Sequence, residues 1–415
     1  MSRSRTPLLN IPIEFEPPVE DIRVVVGIDF GTTFSGFSYA FIKPENEKTD
    51  IVVNDNWPGI KGPAKINTVL QYDEDYEDII TWGAKALAIE PSRRDRNNKQ
   101  PPKPIELFKF HLGNVPEEEK PTLPDGMTPE KAITDYLHEL GKVIQQEIKR
   151  CWPDIDFYRH VRIVVTVPAG FTEDTKTTMR KCLYDAGLIK RIGTLSLQFT
   201  TEPEAAAIYC MSTLEEHGLT IGAKYLIVDC GGGTVDLTVR KVKQNFESQI
   251  KIAVPPRPVI AVVNGACEYG LNMKSISTRV LKWTYGVEIA PKWQASDPPD
   301  RKMSNGRIKK FSLMVKKGTE VNATDEYSQS FSPPEPDATT LKFTIYYTSK
   351  DDATYCDEPE MNLLGSFNIN LPDAHLGMNR PVLLTLCFGS MEIVAAAKNQ
   401  TTGEDYRTTF SSAEI

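Results

Sequence analysis

Two glycine turns, each following a buried strand that ends in an acid, constrain this chain more than any other feature. Residues 24–41 read VVVGIDFGTTFSGFSYAF, and residues 225–239 read YLIVDCGGGTVDLTV. In each, an apolar β-branched run ends in an aspartate, Asp29 or Asp229, and glycines, a threonine and a returning strand follow. A strand that only fills a core does not place a carboxylate beside a glycine turn. The two hairpins therefore resemble two halves of one site.

The residue types in these turns favour phosphate chemistry. Glycines let backbone N–H groups close on phosphate oxygens, and threonine hydroxyls add donors. Carboxylates at strand ends hold Mg²⁺, usually through its waters, and orient the water that attacks a terminal phosphate. The alternative is that each hairpin is only a turn. The chain lacks G-x-x-x-x-G-K-[ST], which excludes a P-loop, and it lacks G-x-G-x-x-G, which leaves a dinucleotide fold unsupported.

The pattern of elements changes once along the chain. Strand-like and amphipathic segments alternate from residue 23 to about 242, which is typical of an α/β domain. After about residue 275, short strands are separated by Gly, Pro, Asn and Asp turns, which predicts an all-β sandwich. The first 22 residues are acidic and rich in proline and have no apolar core, so they are expected to form a flexible tail.

Composition excludes several classes of function. The 415 residues carry a formal net charge of −8 with no basic stripe, so nucleic acid is not an expected partner. Seven cysteines form no C-x-x-C pair, which suits reduced thiols and predicts no metal site among them. No apolar run reaches the length of a membrane span, and no signal peptide is recognisable, so we expect a cytoplasmic protein, with the nucleus as a second possible location.

These segments resemble the actin-like ATPase superfamily, and specifically the heat-shock protein 70 chaperones. GIDFGTTFSG and LIVDCGGGTVDLTV are similar to the two phosphate loops of that family, and TEPEAAAIY and VVNGACEYGLN to its two connecting helices. IVVTVPAGFTEDTKTTMRKCLYDAGL is similar to a further strand and helix. FSLMVKKGTEV, INLPD and EIVAAAKNQTTGEDYRTTF resemble its peptide-binding β-sandwich. WGAKA, GACEYGL and TYGV are similar to the divergent twelve-type branch.

The resemblance implies a fold and a set of functional residues. It implies an actin-like (ribonuclease H-like) α/β ATPase domain over 23–274, with lobe I at about 23–200 and a shortened lobe II at about 201–274, followed by a lidless β-sandwich over 275–415. It implies ATP and Mg²⁺ as cofactors, and unfolded or extended polypeptide and cochaperones as partners. The implied metal ligands are Asp29 and Asp229; the implied catalytic residues are Asp29, Glu202 and Asp236; the implied phosphate-binding residues are Gly31, Thr32, Thr33, Asp229, Gly231, Gly232, Gly233 and Thr234.

Simpler explanations exist for some of these residues. Glu202 precedes Pro203 and can be a helix cap, and Asp236 can be a strand-end turn residue. Ala205 to Ala207 on one connecting helix, with Gly265 and Ala266 on the other, would let the two helices cross closely at a hinge, although alanine-rich helix is often plain core.

The family pattern breaks between Val239 and Val262. Only about twenty residues stand where the family has a whole subdomain with its adenine pocket. If an adenine buries roughly 100 to 150 Å² of apolar surface, its loss costs roughly 3 kcal/mol, or more than about a hundredfold in affinity. We therefore expect weak, base-unselective binding and impaired hydrolysis. The phosphate-contacting lysine of the family has no clear counterpart, because Lys85 in WGAKA is one or two places off and is expected to be exposed.

Several functions remain open from the sequence. The first hypothesis is an ATP-binding chaperone that couples ATP hydrolysis to polypeptide binding, and the intact phosphate turns favour it. The second is a pseudo-ATPase or binding scaffold with weak phosphate-only binding, which the missing subdomain favours. A third is a gene product shortened by deletion or mis-splicing. A small-molecule kinase of the same superfamily is disfavoured, since such kinases lack a C-terminal sandwich.

Overall fold

The computed structural model describes most of the chain. The described residues are 21–44, 47–88, 102–113, 115–213, 224–231, 235–241, 254–255, 257–273, 278–322, 324–388 and 392–411. They fall into two compact units, one within 19–275 and the other within 276–415. The identity of these units as nucleotide-binding and peptide-binding domains stays a prediction, as does a lobe boundary near residue 200. The predicted tail lies outside the described residues up to residue 20.

The first unit is mixed α and β. Its strands are β1 (Val24–Phe30), β2 (Phe34–Phe41), β3 (Val52–Val53), β4 (Asn56–Trp57), β5 (Ile60–Lys61), β6 (Ile66–Asn67), β7 (Val69–Tyr72), β8 (Ile79–Trp82), β9 (Ile105–Glu106), β10 (Val161–Val167), β11 (Leu197–Thr201), β12 (Lys224–Cys230) and β13 (Val235–Lys241). Its helices are α1 (Ala84–Leu87), α2 (Pro129–Cys151), α3 (Phe157–His160), α4 (Glu173–Asp185), α5 (Glu202–Thr213) and α6 (Ala261–Leu271).

One sheet, in the order β11-β10-β1-β2-β3 with β6 also paired to β2, forms the centre of this unit. β1, β10 and β11 are parallel to one another, and β2 is antiparallel to β1. All seven residues of β1 are buried, as its β-branched run predicts. Because the three strands are parallel, their carboxyl ends at Phe30, Val167 and Thr201 meet along one edge of the sheet. We call this the strand-end edge.

Helices cover both faces of the sheet, because successive residues of β1 point to opposite sides. Gly27 faces α6, where a Cβ atom on it would lie 2.5 Å from the backbone nitrogen of Cys267. Phe30 faces the other side, and its ring centroid lies 5.9 Å from that of Tyr136 in α2. The sequence predicts a helix over 129–150, which is confirmed: Thr128 caps it by accepting from the Lys131 N–H at 3.1 Å.

Helices α5 and α6 cross where the small residues lie. A Cβ atom on Gly265 would lie 1.7 Å from the carbonyl oxygen of Ala205. Only glycine therefore allows this approach of the two backbones. A hinge at this crossing stays a prediction.

The segment KINTVLQY forms two strands rather than the single strand that its β-branched residues predict. Thr68 interrupts it, since its backbone N–H donates to the Thr33 carbonyl at 2.9 Å and its hydroxyl donates to the Gly31 carbonyl at 2.9 Å. These bonds hold the first glycine turn in place. The predicted strand DIVVNDN is also shorter, because only Val52–Val53 pairs with β2.

The second hairpin forms as predicted in its strands. β12 and β13 pair antiparallel, with Asp229 opposite Asp236. Helix α5 contacts both strands. Residues 232–234 of the turn, and the side chains of Asp229 and Asp236, lie outside the described residues.

The second unit consists of short strands. They are β14 (Thr278–Val280), β15 (Thr284–Ile289), β16 (Lys310–Val315), β17 (Glu320–Asn322), β18 (Glu326–Phe331), β19 (Thr340–Thr348), β20 (Asn362–Asn370), β21 (Val382–Cys387), β22 (Glu392–Asn399) and β23 (Asp405–Ser411). Two antiparallel sheets, β16-β15-β19-β20 and β18-β21-β22-β23, contribute to one core that includes Tyr285, Phe343, Leu384 and Phe388. Assignment of this unit to the peptide-binding sandwich family stays a prediction.

Within the described residues, every helix is too short or too polar to cross a membrane.

Candidate functional site

The first glycine turn stands at the strand-end edge with donors that protein atoms leave available. Gly31 is required by sterics, because a Cβ atom there would lie 2.2 Å from the Phe34 carbonyl oxygen. Thr32 and Thr33 are half-buried, and in the part of the chain that the structure describes no residue bonds to their hydroxyls. The backbone of the turn is thus sterically constrained, and its threonine hydroxyls are available to bind a ligand.

Asp29 is buried at the end of β1 and is paired with a lysine. It is 4% exposed. Its Oδ2 accepts from the Lys65 ammonium at 2.5 Å, and its Oδ1 accepts from the Thr166 hydroxyl at 3.5 Å. Thr166 is also its register partner on β10. A carboxylate in such a place requires a neighbouring positive charge, which Lys65 supplies here.

Glu202 forms a second buried ion pair where β11 passes into α5. Its Oε1 accepts from the Lys109 ammonium at 2.8 Å, and the two side chains are 12% and 4% exposed. The same ammonium lies 5.6 Å from the Phe30 ring centroid and 5.8 Å from that of Phe171, within the range of cation–π attraction. Both ion pairs therefore lie at the carboxyl ends of the parallel strands.

Helix α5 is capped by a residue other than Glu202. The Thr201 hydroxyl accepts from the Glu204 backbone N–H at 3.2 Å, and a Glu204 carboxylate oxygen accepts from the Thr201 N–H at 3.4 Å. This reciprocal pattern is a capping box. Glu202 is consequently not needed as a cap, and its carboxylate is directed to Lys109 at the positive end of the helix dipole.

Lys109, like Lys65, is a site residue that the sequence interpretation missed. It belongs to a short 3-10 helix, Phe108–Leu112, and the preceding Leu107 has a left-handed backbone with φ 59°. Such a conformation is uncommon for leucine and concentrates at functional sites. A signal was present in IELFKFHL, where one lysine stands inside an apolar run. Lys85, the lysine that the sequence led us to consider, is exposed in α1.

The structure brings together part of the predicted site. Asp29, Gly31, Thr32, Thr33 and Glu202 lie at the strand-end edge or follow it directly. In the second hairpin, Gly231 is exposed and the backbones of Asp229 and Asp236 are opposite each other. Gly232, Gly233 and Thr234 lie outside the described residues, so their role in phosphate binding stays a prediction.

A divalent cation at Asp29 would compete with a lysine. Among the described residues, no group of three or more His, Cys, Asp or Glu side chains stands close enough together to hold a metal ion. Mg²⁺ can bind through one or two carboxylates and its own waters, but one oxygen of Asp29 already accepts from the Lys65 ammonium. Magnesium therefore stays a prediction from the sequence, and the described geometry provides ammonium groups in its place.

This arrangement is suited to binding an anion. Carboxyl ends of parallel strands are where α/β sheets bind ligands, and the positive end of the α5 helix dipole points to the same place. Two lysines and an open glycine turn lie at the same edge. Carboxylates of the site hold those lysines in position, and an anion of higher charge, such as a phosphate, could compete for them.

Comparison with known proteins finds relatives by sequence for part of the chain. No protein-family model matches the chain. Heat shock 70 kDa protein 12A of Mus musculus is 28% identical over 282 residues, which cover 53% of this chain and 40% of that protein. The resemblance is to the type-12 heat-shock 70 proteins. Heat shock 70 kDa protein 12B of Homo sapiens is 25% identical over 294 residues, covering 55% of this chain and 41% of that protein. The match thus spans about two fifths of the length of these curated relatives.

Solved structures add little to this. A MamK double helical filament has a TM-score of 0.25 at 18% identity and covers 52% of this chain and 49% of its own. A Ppx/GppA family member from Aquifex aeolicus has a TM-score of 0.26 at 15% identity, covering 55% and 50%. TM-scores of this size support no conclusion about the fold.

Proposed function

We propose that this chain is a divergent member of the type-12 branch of the heat-shock protein 70 family, and that its first unit binds the phosphates of ATP at the strand-end edge. The two buried lysine–carboxylate pairs, Lys65 with Asp29 and Lys109 with Glu202, carry the proposal. Charges are costly to bury, and here two pairs stand beside an open glycine turn. The sequence similarity to heat shock 70 kDa proteins 12A and 12B supports the choice of ATP.

In this proposal the site residues have distinct tasks. The turn Gly31 to Thr33 donates hydrogen bonds to phosphate oxygens, and Lys109 neutralises their charge. Glu202 orients the attacking water when a ligand draws Lys109 away from it. The second hairpin, through Asp229 and Asp236, would complete the site from the opposite side.

A pseudo-ATPase is the second candidate, and one observation favours it. Only residues 242–260 connect the end of β13 at Lys241 to the start of α6 at Ala261. That connection is too short for an adenosine-binding subdomain. In this candidate the phosphate site is retained as a weak, base-unselective anchor, and partner binding is the activity.

The second unit is proposed to bind extended polypeptide, in the cytosol or nucleus and with cochaperones. Exposed apolar side chains on its sheet support this, since Leu313 on β16 is 42% exposed and Leu363 on β20 is 44% exposed. Fluorescence anisotropy of a labelled apolar peptide tests it. Replacing both leucines by serine should weaken binding, and unchanged binding would contradict a role for them.

Ligand-induced thermal stabilisation tests the phosphate site. We expect ATP, GTP and pyrophosphate to raise the melting temperature of the chain, with ATP alone effective only if a base pocket survives. The double variant T32A/T33A should lose this stabilisation while its ligand-free melting temperature stays unchanged. Thr81→Ala removes another half-buried threonine of the same unit and is the matched control. Absence of stabilisation by all three ligands would contradict the proposed site, and phosphate release in the same samples separates an ATPase from a pseudo-ATPase.

A further inference from the structure

The position of Lys65 gives the strand-end edge a property beyond phosphate binding itself. Its ammonium lies 2.5 Å from Oδ2 of Asp29, the carboxylate that the sequence assigns to a metal ion. The Asp29 side chain is 6% exposed and that of Lys65 is 20% exposed. A covalently attached cation is therefore already in contact with the carboxylate that a divalent ion would use.

The pairing of β2 with β1 and with β6 places Lys65 next to Asp29. Lys65 immediately precedes β6, and Ile66 of β6 pairs with Ser35 of β2. The next residue of β2, Gly36, is the register partner of Asp29. The Lys65 side chain thus starts beside β6, passes over Gly36 of β2 and ends at the Asp29 carboxylate of β1.

The glycine at position 36 provides the space that the lysine uses. A Cβ atom on Gly36 would lie 3.0 Å from Cγ of Lys65 and 2.8 Å from the carbonyl oxygen of Ala64. Both distances are shorter than ordinary carbon contacts. A side chain there would force the Lys65 side chain and the Ala64 backbone to shift, so the present path of Lys65 to Asp29 uses the space that the glycine leaves.

An ammonium group differs from Mg²⁺ in what it can do here. It carries one positive charge rather than two, and its three N–H donors can contact a carboxylate and a ligand oxygen together. It remains bound when chelators remove metal. A divalent ion would take most of its oxygen ligands from water and from the ligand, with Asp29 as a protein ligand, so removing the lysine should open this position to it.

We propose that Lys65 replaces the divalent cation at Asp29, so that a phosphoryl ligand such as pyrophosphate binds at the first glycine turn without divalent metal. This rests on the proposed phosphate-binding function. It specifies that function by removing the metal requirement and by naming the residue responsible.

The first experiment measures metal binding without any phosphate ligand. Electron paramagnetic resonance follows free Mn²⁺ as it is titrated into the wild type, Asp29→Asn, Lys65→Met and the double variant Lys65→Met with Asp29→Asn. We expect Lys65→Met to gain one Mn²⁺ site that the wild type lacks and that the double variant loses. A wild-type site that Asp29→Asn abolishes, or no gain in Lys65→Met, would overturn the proposal.

The second experiment measures pyrophosphate binding by calorimetry, in EDTA and in MgCl₂. We expect the wild type to bind equally within about twofold in both buffers, and Lys65→Met to bind at least about tenfold more weakly in EDTA. Lys65→Arg should retain most of the affinity in EDTA. Lys61→Met, which removes an exposed lysine four residues earlier, should bind like the wild type.

Failure of this inference and failure of the proposed function give different results. Wild-type binding only with magnesium overturns the role of Lys65 and leaves the phosphate site intact. Absence of binding in both buffers overturns the phosphate site and the inference with it. Circular dichroism of each variant establishes that it is folded before either result is scored, and Lys65→Arg provides the comparison if Lys65→Met does not fold.

Discussion

Two regions of the molecule, the strand-end edge and the surroundings of Arg380, bury positive charge in different ways. In the first unit, the ammonium groups of Lys65 and Lys109 meet carboxylates at the strand-end edge. In the second, Arg380 is 0% exposed, and its guanidinium donates to backbone carbonyls. Those carbonyls belong to Pro336, Ala338, Leu371, Pro372 and Gly377.

The type of acceptor distinguishes a ligand-binding site from a purely structural interaction. A carboxylate partner is ionic and can exchange its lysine with an incoming anion. Backbone carbonyls cannot leave without unfolding the segments that carry them, and here they lie between β18 and β19 and between β20 and β21. We therefore expect the lysines to govern ligand binding, and Arg380 to govern only the stability of its unit.

Loss of Arg380 should have the largest effect. Arg380→Met leaves its carbonyl acceptors buried with fewer donors, so we expect the second unit to lose about 4 kcal/mol of unfolding free energy. Hydrogen-exchange mass spectrometry, which resolves the two units, measures this. Lys309→Met removes a cation that is 55% exposed and pairs with Glu288, and it should cost about 0.5 kcal/mol or less. If the two substitutions changed the unfolding free energy by similar amounts, the structural role assigned to the buried Arg380 would be wrong.

Removing Lys109 should have a smaller and rescuable effect. Lys109→Met leaves the buried Glu202 carboxylate with one cation fewer, and we expect a loss of about 3 kcal/mol in the first unit. Adding Glu202→Gln should restore most of it, because the buried negative charge that lost the Lys109 ammonium is then gone. Urea denaturation of both variants measures the coupling, with the exposed Lys103→Met as control. If the second substitution lowers the stability further, the Lys109–Glu202 pair has a structural role like that of Arg380.

Filling the space at Gly36 should sharpen the assignment of Lys65. Gly36→Ala places a Cβ atom against Lys65 and the Ala64 carbonyl, and we expect about 1 to 2 kcal/mol of destabilisation. Gly170→Ala is the matched control, since a Cβ atom there meets nothing within 4 Å, and it should change stability by less than about 0.5 kcal/mol. Thermal melting compares the two. Equal melting temperatures would show that the lysine does not need this space.

The smallest effect should come from a pair whose cation is in solvent. Hydrogen bonding to Arg150 holds the pKa of Glu147 below its usual value, and Tyr39 also donates to this carboxylate, at 2.7 Å. Because the folded-state pKa is the lower one, the stabilisation is complete above the unfolded-state pKa, near 4.5, and is lost as pH falls through the folded-state value.

We expect this contribution to be about 0.5 kcal/mol, since Arg150 is 67% exposed and is screened. Urea denaturation between pH 7 and pH 3 measures it. The stability of Glu147→Gln should depend less on pH than that of the wild type over this interval. An unchanged pH dependence in the variant would show that Glu147 does not contribute.

What could be predicted from the sequence was local in origin. The 3.6-residue period of α2, the buried runs of β1 and β10, and the glycine turn after Asp29 follow from neighbouring residues, and the structure contains each of them. Thr68 interrupts a predicted strand because its bonds go to Gly31 and Thr33, which are distant in sequence.

The charges of the candidate site were decided by tertiary structure. The sequence identified Asp29 and Glu202 as acids at strand ends, but their partners Lys65 and Lys109 stand 36 and 93 positions away. Which lysine reaches which acid depends on the register of β2 with β6, on the packing of a short 3-10 helix, and on the room that Gly36 leaves. A sequence determines which residues prefer a strand or a turn, whereas the partner of a buried charge is set by which elements pack together around it.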